Sequence, residues 1–220
     1  MRDVSVLTIA RGREAHLHNI IRGLAAQTVF PRELVIAAMQ DELYEGLPDT
    51  PFPIHQIKVT RPDGELPLAA ARNAVAAKAL GTVLAFVDVD CIPHPELVAD
   101  VAEACHDGRG LVMGEVAYLL KGATEEGLDF DHFDTIGLKH SDRQGPPAEN
   151  LRYCEDYRCF WSLNFAMHRA DWARSGGFDE GYFGYGGEDT DFGRVLDARG
   201  IDIWWMKGAK VYHQYHDHCM

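Results

Sequence analysis

Apolar runs alternate with segments of helical periodicity through the first half of the chain. The predicted strands cover residues 4–10, 34–38, 54–59 and 83–87. Helices are predicted between them, one over 17–24 and an alanine-rich one over 68–80 that ends at Gly81. The strand over 34–38 is almost wholly apolar, which is typical of a sheet covered by helices on both faces. The strand–helix order therefore predicts an α/β fold with a Rossmann-like, mainly parallel central sheet.

The second half of the chain is less regular. We predict helices over 95–105, 170–174 and 188–199, and strands over 111–120, 160–167, 201–205 and 211–213. Residues 121–158 are polar and have no clear period, which is typical of a functional lid or a mobile loop. The pattern contains no internal repeat and is consistent with a single domain over residues 1–220.

Composition narrows the possible partners. The 220 residues carry a formal net charge of −13, which disfavours a nucleic-acid partner and requires a cation between the protein and any diphosphate. No apolar run approaches the roughly 20 residues that span a bilayer, and no signal peptide is evident. The five cysteines match no zinc motif, so we expect reduced thiols and a cytoplasmic protein. Peripheral membrane association through a partner remains compatible with the sequence.

Two aspartates, Asp88 and Asp90, stand where the apolar strand 83–87 ends. In open α/β sheets this is the edge at which ligands bind, and residues i and i+2 of a strand point to the same side. Hard carboxylate oxygens suit Mg²⁺ or Mn²⁺. A solvated aspartate-rich turn is the alternative explanation of the pair.

A second acidic cluster, Glu188, Asp189 and Asp191, follows the glycines of Gly184-Tyr185-Gly186-Gly187. Acids at the start of a helix are stabilised by the macrodipole without any function. The surrounding glycines and aromatics are not explained in that way. Four aromatic side chains offer flat surfaces on which sugar rings stack, although each also suits a protein core: Trp161, Tyr182, Phe183 and Tyr185.

Four blocks of sequence carry a family resemblance: 4–11, 68–73, 86–90, and 176–180 continuing through 187–191. In this order the chain resembles the nucleotide-sugar-dependent glycosyltransferases of family 2, which have the GT-A fold. Its second half resembles the C-terminal region of the β-1,4-galactosyltransferases. The resemblance implies a nucleotide-sugar-binding half at 1–92 and an acceptor-binding and catalytic half at 93–220. It also implies an inverting, metal-dependent hexosyltransferase of polysaccharide biosynthesis. Such an enzyme moves a sugar from a nucleotide-sugar, by expectation a UDP-sugar, to a hydroxyl of a glycan or glycoconjugate.

The resemblance also assigns roles to residues. Asp189 is the general base, and Mn²⁺ or Mg²⁺ is bound by Asp88, Asp90 and His213, with His216 as the alternative histidine. The nucleotide-sugar is bound by Thr8, Ala10, Arg11, Arg72, Asn73 and Asp88. The acceptor is bound by Trp161, Tyr185, Gly187, Glu188 and Asp191. From the sequence alone, Arg72 suits a solvent-facing helix position equally well.

The chain departs from the family where an aspartate commonly follows the second strand and recognises the nucleotide base. Here the stretch reads Ala37-Ala38-Met39-Gln40-Asp41, so the acid is absent or displaced to Asp41, and a GDP- or dTDP-sugar is an alternative to a UDP-sugar. Two other functions compete with glycosyl transfer. A sugar nucleotidyltransferase uses a similar sheet and metal, but the first strand lacks a glycine-rich, basic triphosphate loop. The second competing function is that of a catalytically silent binding domain in glycan assembly.

Overall fold

An eight-stranded sheet forms the centre of the computed structural model, which describes residues 3–141 and 147–216. In chain order its strands are β1 (Val4–Ala10), β2 (Glu33–Ala38), β3 (Ile54–Lys58), β4 (Val83–Val87), β6 (Leu111–Met113), β8 (Leu151–Tyr153), β9 (Asn164–His168) and β10 (Ile203–Met206). A second sheet contains β5 (Cys91–Pro93), β7 (Val116–Tyr118) and β11 (Val211–His213). The helices are α1 (Glu14–Ala25), α2 (Leu68–Lys78), α3 (Leu97–Cys105), α4 (Phe130–Ile136), α5 (Arg169–Ser175) and α6 (Glu188–Ala198).

The large sheet has the order β3-β2-β1-β4-β9-β6-β10-β8. Strands β1 to β4 are mutually parallel, and β10 is parallel to β6. Strand β9 runs antiparallel to both β4 and β6, and β8 is antiparallel to β10. The predicted mainly parallel α/β sheet in a single domain is confirmed.

Hydrophobic residues cover both faces of the large sheet. On one face, Ile20 of α1 and Val101 of α3 lie in a buried cluster with Val6 of β1. On the other face, Val75 of α2 and Phe192 of α6 join Leu7 of β1 in a second cluster. Consecutive residues of β1 thus serve opposite faces, because strand side chains alternate. Each fully buried side chain of this size contributes about 1.5–3 kcal/mol, so both helical layers are held firmly to the sheet.

The small sheet attaches the C-terminal strand to the segment that follows Asp90. Strand β11 pairs antiparallel with β5, in the register His213 opposite Cys91, and parallel with β7. Helix α4 packs on this sheet through Phe133 and Tyr212, whose ring centroids are 5.3 Å apart. The Tyr212 hydroxyl donates a hydrogen bond to Asp134.

The prediction of one continuous strand over 111–120 was wrong. The segment forms β6 and β7, which belong to different sheets, and the chain turns between them at Gly114. A Cβ at Gly114 would collide with the carbonyl oxygen of Ala209, so the two segments approach closely only with glycine there. Periodicity does not reveal such a crossing, since both short strands are apolar.

Other differences concern the ends of elements and the polar segment 121–158. That segment contains α4 and β8, while residues 142–146 lie outside the described chain. The helix predicted from Pro95 begins at Leu97, and the strand predicted from Phe160 begins at Asn164. Among the described residues, the helices are all too short or too polar to cross a membrane.

Candidate active site

A cavity of about 730 Å³ opens at the carboxyl ends of β1, β2 and β4, the edge at which α/β sheets bind ligands. The cavity is lined by the loops after these strands and by the segment before β9. It is also lined by the starts of α2 and α6 and by the end of the described chain. Its lining includes both acidic clusters predicted from the sequence, Asp88 with Asp90 and Glu188 with Asp189.

Arg72 connects the two acidic clusters. Its guanidinium donates to Oδ1 of Asp88 over 3.3 Å and to Oε1 of Glu188 over 3.4 Å, and it also donates to the hydroxyl of Ser162. The Arg72 side chain is 5% exposed, so the predicted alternative of a solvent-facing helix residue is wrong. Burial raises the pKa values of both Asp88 and Glu188, and the Arg72 charge opposes that rise. The net shift of both pKa values is upward, to about 7 for Asp88, so the buried Arg72 cation limits a rise that burial causes.

Asp189 has two differently placed carboxylate oxygens. Oδ2 accepts a hydrogen bond from the backbone N–H of Ser162 at 3.0 Å. Oδ1 is buried and has no hydrogen-bond partner among the described residues. Such an orphaned buried acceptor is costly, and because Asp189 as a residue lines the cavity, its carboxylate is a candidate to accept a hydrogen bond from a ligand hydroxyl.

Asp90, His213 and His216 form a group able to hold a metal ion. Their ligand atoms lie within 4.8 Å of one another, with Nε2 of His213 3.5 Å from Oδ1 of Asp90 and Nε2 of His216 3.4 Å from its Oδ2. Burial alone would raise the pKa of Asp90, but His216, His213 and Arg13 lower it to about 2. Burial lowers the pKa of His213, which favours the neutral imidazole that binds metals.

The backbone brings these ligands together through the small sheet. Because His213 is paired opposite Cys91 across β11 and β5, it lies beside the residue that follows Asp90. The ring of Tyr118 in β7 stacks on His213, with centroids 4.7 Å apart and an angle of 28° between the rings. Asp88 is directed to Arg72 and is outside this group of three.

The acceptor-side residues predicted from the sequence divide into two groups. Tyr185 and Glu188 line the cavity, and Tyr185 is 71% exposed. Gly187 precedes α6 with a φ of +88°, so it supplies the turn by which the acids enter the cavity wall. Asp191 forms an ion pair with Arg194 at 2.7 Å. The ring of Trp161 packs edge-to-face on His140, with centroids 5.1 Å apart.

The residues predicted to bind the nucleotide also divide into two groups, one that lines the cavity and one that lies outside its lining. Arg11 lines the cavity together with the apolar side chains of Ile9, Met39, Leu66 and Leu68. Thr8 and Ala10 are buried and, by the alternation of β1, face the opposite layer from Ile9. Gln40, in the stretch after β2 where the family commonly has an aspartate, accepts a hydrogen bond from the N–H of Gly12.

Asn73 is bound to the loop before α6. Its amide oxygen accepts from the N–H of Phe178, and its amide nitrogen donates to the carbonyl of Phe178 and to Glu180, each over 2.9 Å. A Cβ on Gly177 would lie 2.6 Å from Oδ1 of Asn73. Two blocks of the sequence resemblance, 68–73 and 176–180, are therefore joined by structural contacts.

Three residues of the site were missed by the sequence reasoning: Arg13, Tyr118 and Ser162. Arg13 contacts Asp90 at 2.6 Å and Ser162 contacts Asp189, yet each pair is far apart in sequence. A signal existed for Arg13 alone, because it follows the end of a strand that was predicted to bind the nucleotide.

Comparison with known proteins gives two family matches. A family described as glycosyl transferase family 2 matches residues 5–169, and one described as the N-terminal domain of galactosyltransferase matches residues 147–217. Validoxylamine A glucosyltransferase of Streptomyces hygroscopicus subsp. limoneus is 29% identical over 91% of this chain. Hyaluronan synthase of Pasteurella multocida is 26% identical over 96% of it. The chain spans 49% of the first relative and 24% of the second.

Solved structures of low sequence identity share the architecture. GalNAc-T7, crystallised with UDP, GalNAc and Mn²⁺, has a TM-score of 0.65 at 17% identity, covering 97% of this chain and 44% of its own. Staphylococcus aureus TarS 1–349, crystallised with UDP-GlcNAc, has a TM-score of 0.68 at 14% identity, covering 99% of this chain and 60% of its own. These likenesses confirm the predicted GT-A fold.

Proposed function

Because this chain belongs to glycosyltransferase family 2, we propose that its cavity transfers a hexosyl group from a nucleotide-sugar to a hydroxyl of a glycan or glycoconjugate, with inversion at the anomeric carbon. The observation that carries the proposal is that one cavity holds two kinds of group. One is the carboxylate of Asp189, with a buried oxygen that has no hydrogen-bond partner among the described residues, and the other is the separate group of Asp90, His213 and His216. In such a displacement a carboxylate takes the proton of the acceptor hydroxyl, and a metal-binding group holds the leaving diphosphate through a cation.

Asp189 is the general base of the proposed reaction. The acceptor hydroxyl donates its hydrogen bond to Oδ1 of Asp189 while its oxygen attacks the anomeric carbon. The new carbon–oxygen bond forms as the bond to the diphosphate breaks, the proton passes to Asp189, and the electron pair leaves with the diphosphate. The Ser162 N–H fixes the other oxygen, so the carboxylate is already oriented when the acceptor arrives.

Asp90, His213 and His216 are the proposed metal ligands. A divalent cation there would neutralise negative charge that develops on the leaving diphosphate. Of the two cations expected from the sequence, Mn²⁺ suits this group better, because Mg²⁺ prefers oxygen ligands while two of these three ligands are imidazoles. The chemistry of the donor set, rather than the sequence motif alone, supports this assignment.

We assign the donor and the acceptor to different parts of the cavity lining. The nucleotide is assigned to the apolar side chains of Ile9, Met39 and Leu68, together with Arg11. The acceptor is assigned to the part formed by Tyr185, Glu188 and Asp189, where an exposed ring offers a stacking surface for a sugar. The UDP and UDP-GlcNAc in the two structural neighbours favour a UDP-sugar.

The test is an assay of the purified protein with a panel of UDP-, GDP- and dTDP-sugars, with Mn²⁺, Mg²⁺ or EDTA. Release of nucleoside diphosphate that depends on both a sugar acceptor and a divalent cation is the expected result. Release of pyrophosphate from a nucleoside triphosphate would instead identify a sugar nucleotidyltransferase. Absence of any turnover, together with retained binding of a nucleotide-sugar, would identify a silent binding domain.

A further inference from the structure

Arg13 contacts the group formed by Asp90, His213 and His216. Its Nη1 is 2.6 Å from Oδ2 of Asp90, and its Nη2 is 3.4 Å from Nδ1 of His216. Its side chain is 21% exposed and lines the cavity. One guanidinium thus contacts two of the three groups that would hold the cation.

The backbone holds Arg13 in this place at some cost. Arg13 has a φ of +53°, a left-handed conformation that non-glycine residues seldom adopt, and α1 starts immediately after it. The preceding Gly12 is fixed from both sides, since its N–H donates to Gln40 and its carbonyl accepts from the Tyr44 hydroxyl, each over 2.8 Å. Strain that is stabilised by such contacts is typical of functional positions.

The charges of the cavity define what Arg13 can do. The side chain of Arg72 is buried and bonded to Asp88, Glu188 and Ser162, and Arg11 donates to the carbonyl of Gly64. Arg13 is the cation that balances Asp90. When a divalent cation binds Asp90, the guanidinium loses its counter-charge and faces a second positive charge at short range. An incoming diphosphate supplies negative oxygens, which guanidinium groups bind bidentately.

We propose that Arg13 is an exchangeable counter-ion: it pairs with Asp90 before the donor arrives and moves to the donor diphosphate when the metal takes Asp90. This inference rests on the proposed function and adds a residue that couples metal binding to donor binding. Metal alone must displace Arg13 without compensation, whereas metal together with a diphosphate gives the guanidinium a new partner. The cation is therefore retained mainly when the donor is present.

The test measures binding of Mn²⁺ alone and of UDP, each by titration calorimetry on the full chain. Arg13→Asn is the main variant, because asparagine tolerates left-handed backbone and is too short to reach Asp90. Removing the competing guanidinium should tighten Mn²⁺ binding without nucleotide by about fivefold. The same change should weaken UDP binding at saturating Mn²⁺ by about tenfold, through the loss of a charge-assisted contact.

Three further variants separate this role from others. Arg13→Lys keeps the charge and should leave the affinity for Mn²⁺ near that of the wild type. Arg11→Gln removes a cavity cation that does not contact Asp90, so it should weaken UDP binding without tightening Mn²⁺ binding. Arg22→Gln, an α1 residue bonded to Asn19, should alter neither affinity.

Unchanged or weaker Mn²⁺ binding by folded Arg13→Asn would overturn the proposal, as would unchanged UDP binding. Either result leaves the glycosyltransferase assignment standing if the wild type binds both probes. Failure of the wild type to bind Mn²⁺ at all removes the metal assignment together with the role of Arg13. Circular-dichroism melts verify that each variant is folded, and Arg13→Lys supplies the charge test if the asparagine variant is not.

Discussion

The backbone N–H of Ser162 donates a hydrogen bond to Oδ2 of Asp189 at 3.0 Å, which joins the segment before β9 to the first turn of α6. The donor is a main-chain group, so no side-chain substitution at Ser162 removes it directly. Its effect is to fix the carboxylate while Oδ1 stays buried and without a partner among the described residues. Asp189 is thereby oriented by the fold rather than by the ligand.

Replacing Asp189 by Asn should reduce glycosyl transfer by about 10²–10⁴-fold, the usual contribution of a general base. The amide keeps the shape of the side chain but cannot take up the acceptor proton. Binding of UDP in the presence of Mn²⁺ should change little, since the proposed nucleotide position does not include Asp189. Single-turnover kinetics and calorimetry measure the two effects separately. Asp197→Asn, at the exposed end of the same helix, is the matched control, and equal activity of the two variants would contradict the assignment.

Replacing Arg72 by Met should destabilise the protein by about 3–5 kcal/mol, because Asp88 and Glu188 would remain buried without their cation. Adding Glu188→Gln to this variant should restore part of the loss, since one of the unpaired charges is then gone. Urea unfolding measures both values as a double-mutant cycle. Arg22→Met, on exposed helix surface, should cost less than about 0.5 kcal/mol. Additive effects of Arg72→Met and Glu188→Gln would argue against the coupling.

Replacing Asn73 by Ala should lower stability by about 1–3 kcal/mol, through the loss of its bonds to the backbone of Phe178. The affinity for UDP should stay within about twofold of the wild type. This result separates a structural Asn73 from the nucleotide-binding role implied by the resemblance. Thermal unfolding and UDP titration on the same preparation provide the comparison. A tenfold weaker UDP affinity with unchanged stability would favour the nucleotide role.

Replacing either His213 or His216 by Ala should weaken Mn²⁺ binding by at least about tenfold, because each offers a ligand nitrogen close to Asp90. The free Mn²⁺ signal in electron paramagnetic resonance measures this without any nucleotide. His106→Ala, on an exposed surface position, is the control. If one histidine variant binds as tightly as the wild type, the other histidine alone completes the site with Asp90.

The first half of the fold is predictable from sequence because its elements are regular. Strands β1, β2 and β4 are buried and mostly apolar, and the alanine-rich composition of α2 favours a helix. Their shared parallel direction then places Asp88 and Asp90 at the ligand-binding edge. Local pattern and overall topology agree here, so short-range reasoning is sufficient.

The second half is less predictable because its short elements are defined by distant contacts. β6 and β7 are three residues each, and their assignment to separate sheets depends on pairing with β9, β10 and β11. Helix α4 is held by Tyr212, almost eighty positions away. The contact of Arg13 with Asp90 likewise depends on the left-handed turn at 12–13, which composition does not predict. His213 was identified through the family resemblance rather than through its own surroundings.

The two ends of the proposed chemistry rest on different hydrophobic clusters. Helix α6, which carries Asp189, packs through Phe192 and Leu196 on one face of the large sheet. The segments that carry Asp90 and His213 are anchored by Cys91 and Val211 on the opposite face and by Tyr212 in the small sheet. For protein engineering, this separation means that repacking around α6 alters a different layer from the one that anchors the proposed metal ligands, with Arg72 as the link between the two acidic clusters. A mutant library that aims at new acceptors would therefore start with the residues that pack beneath α6.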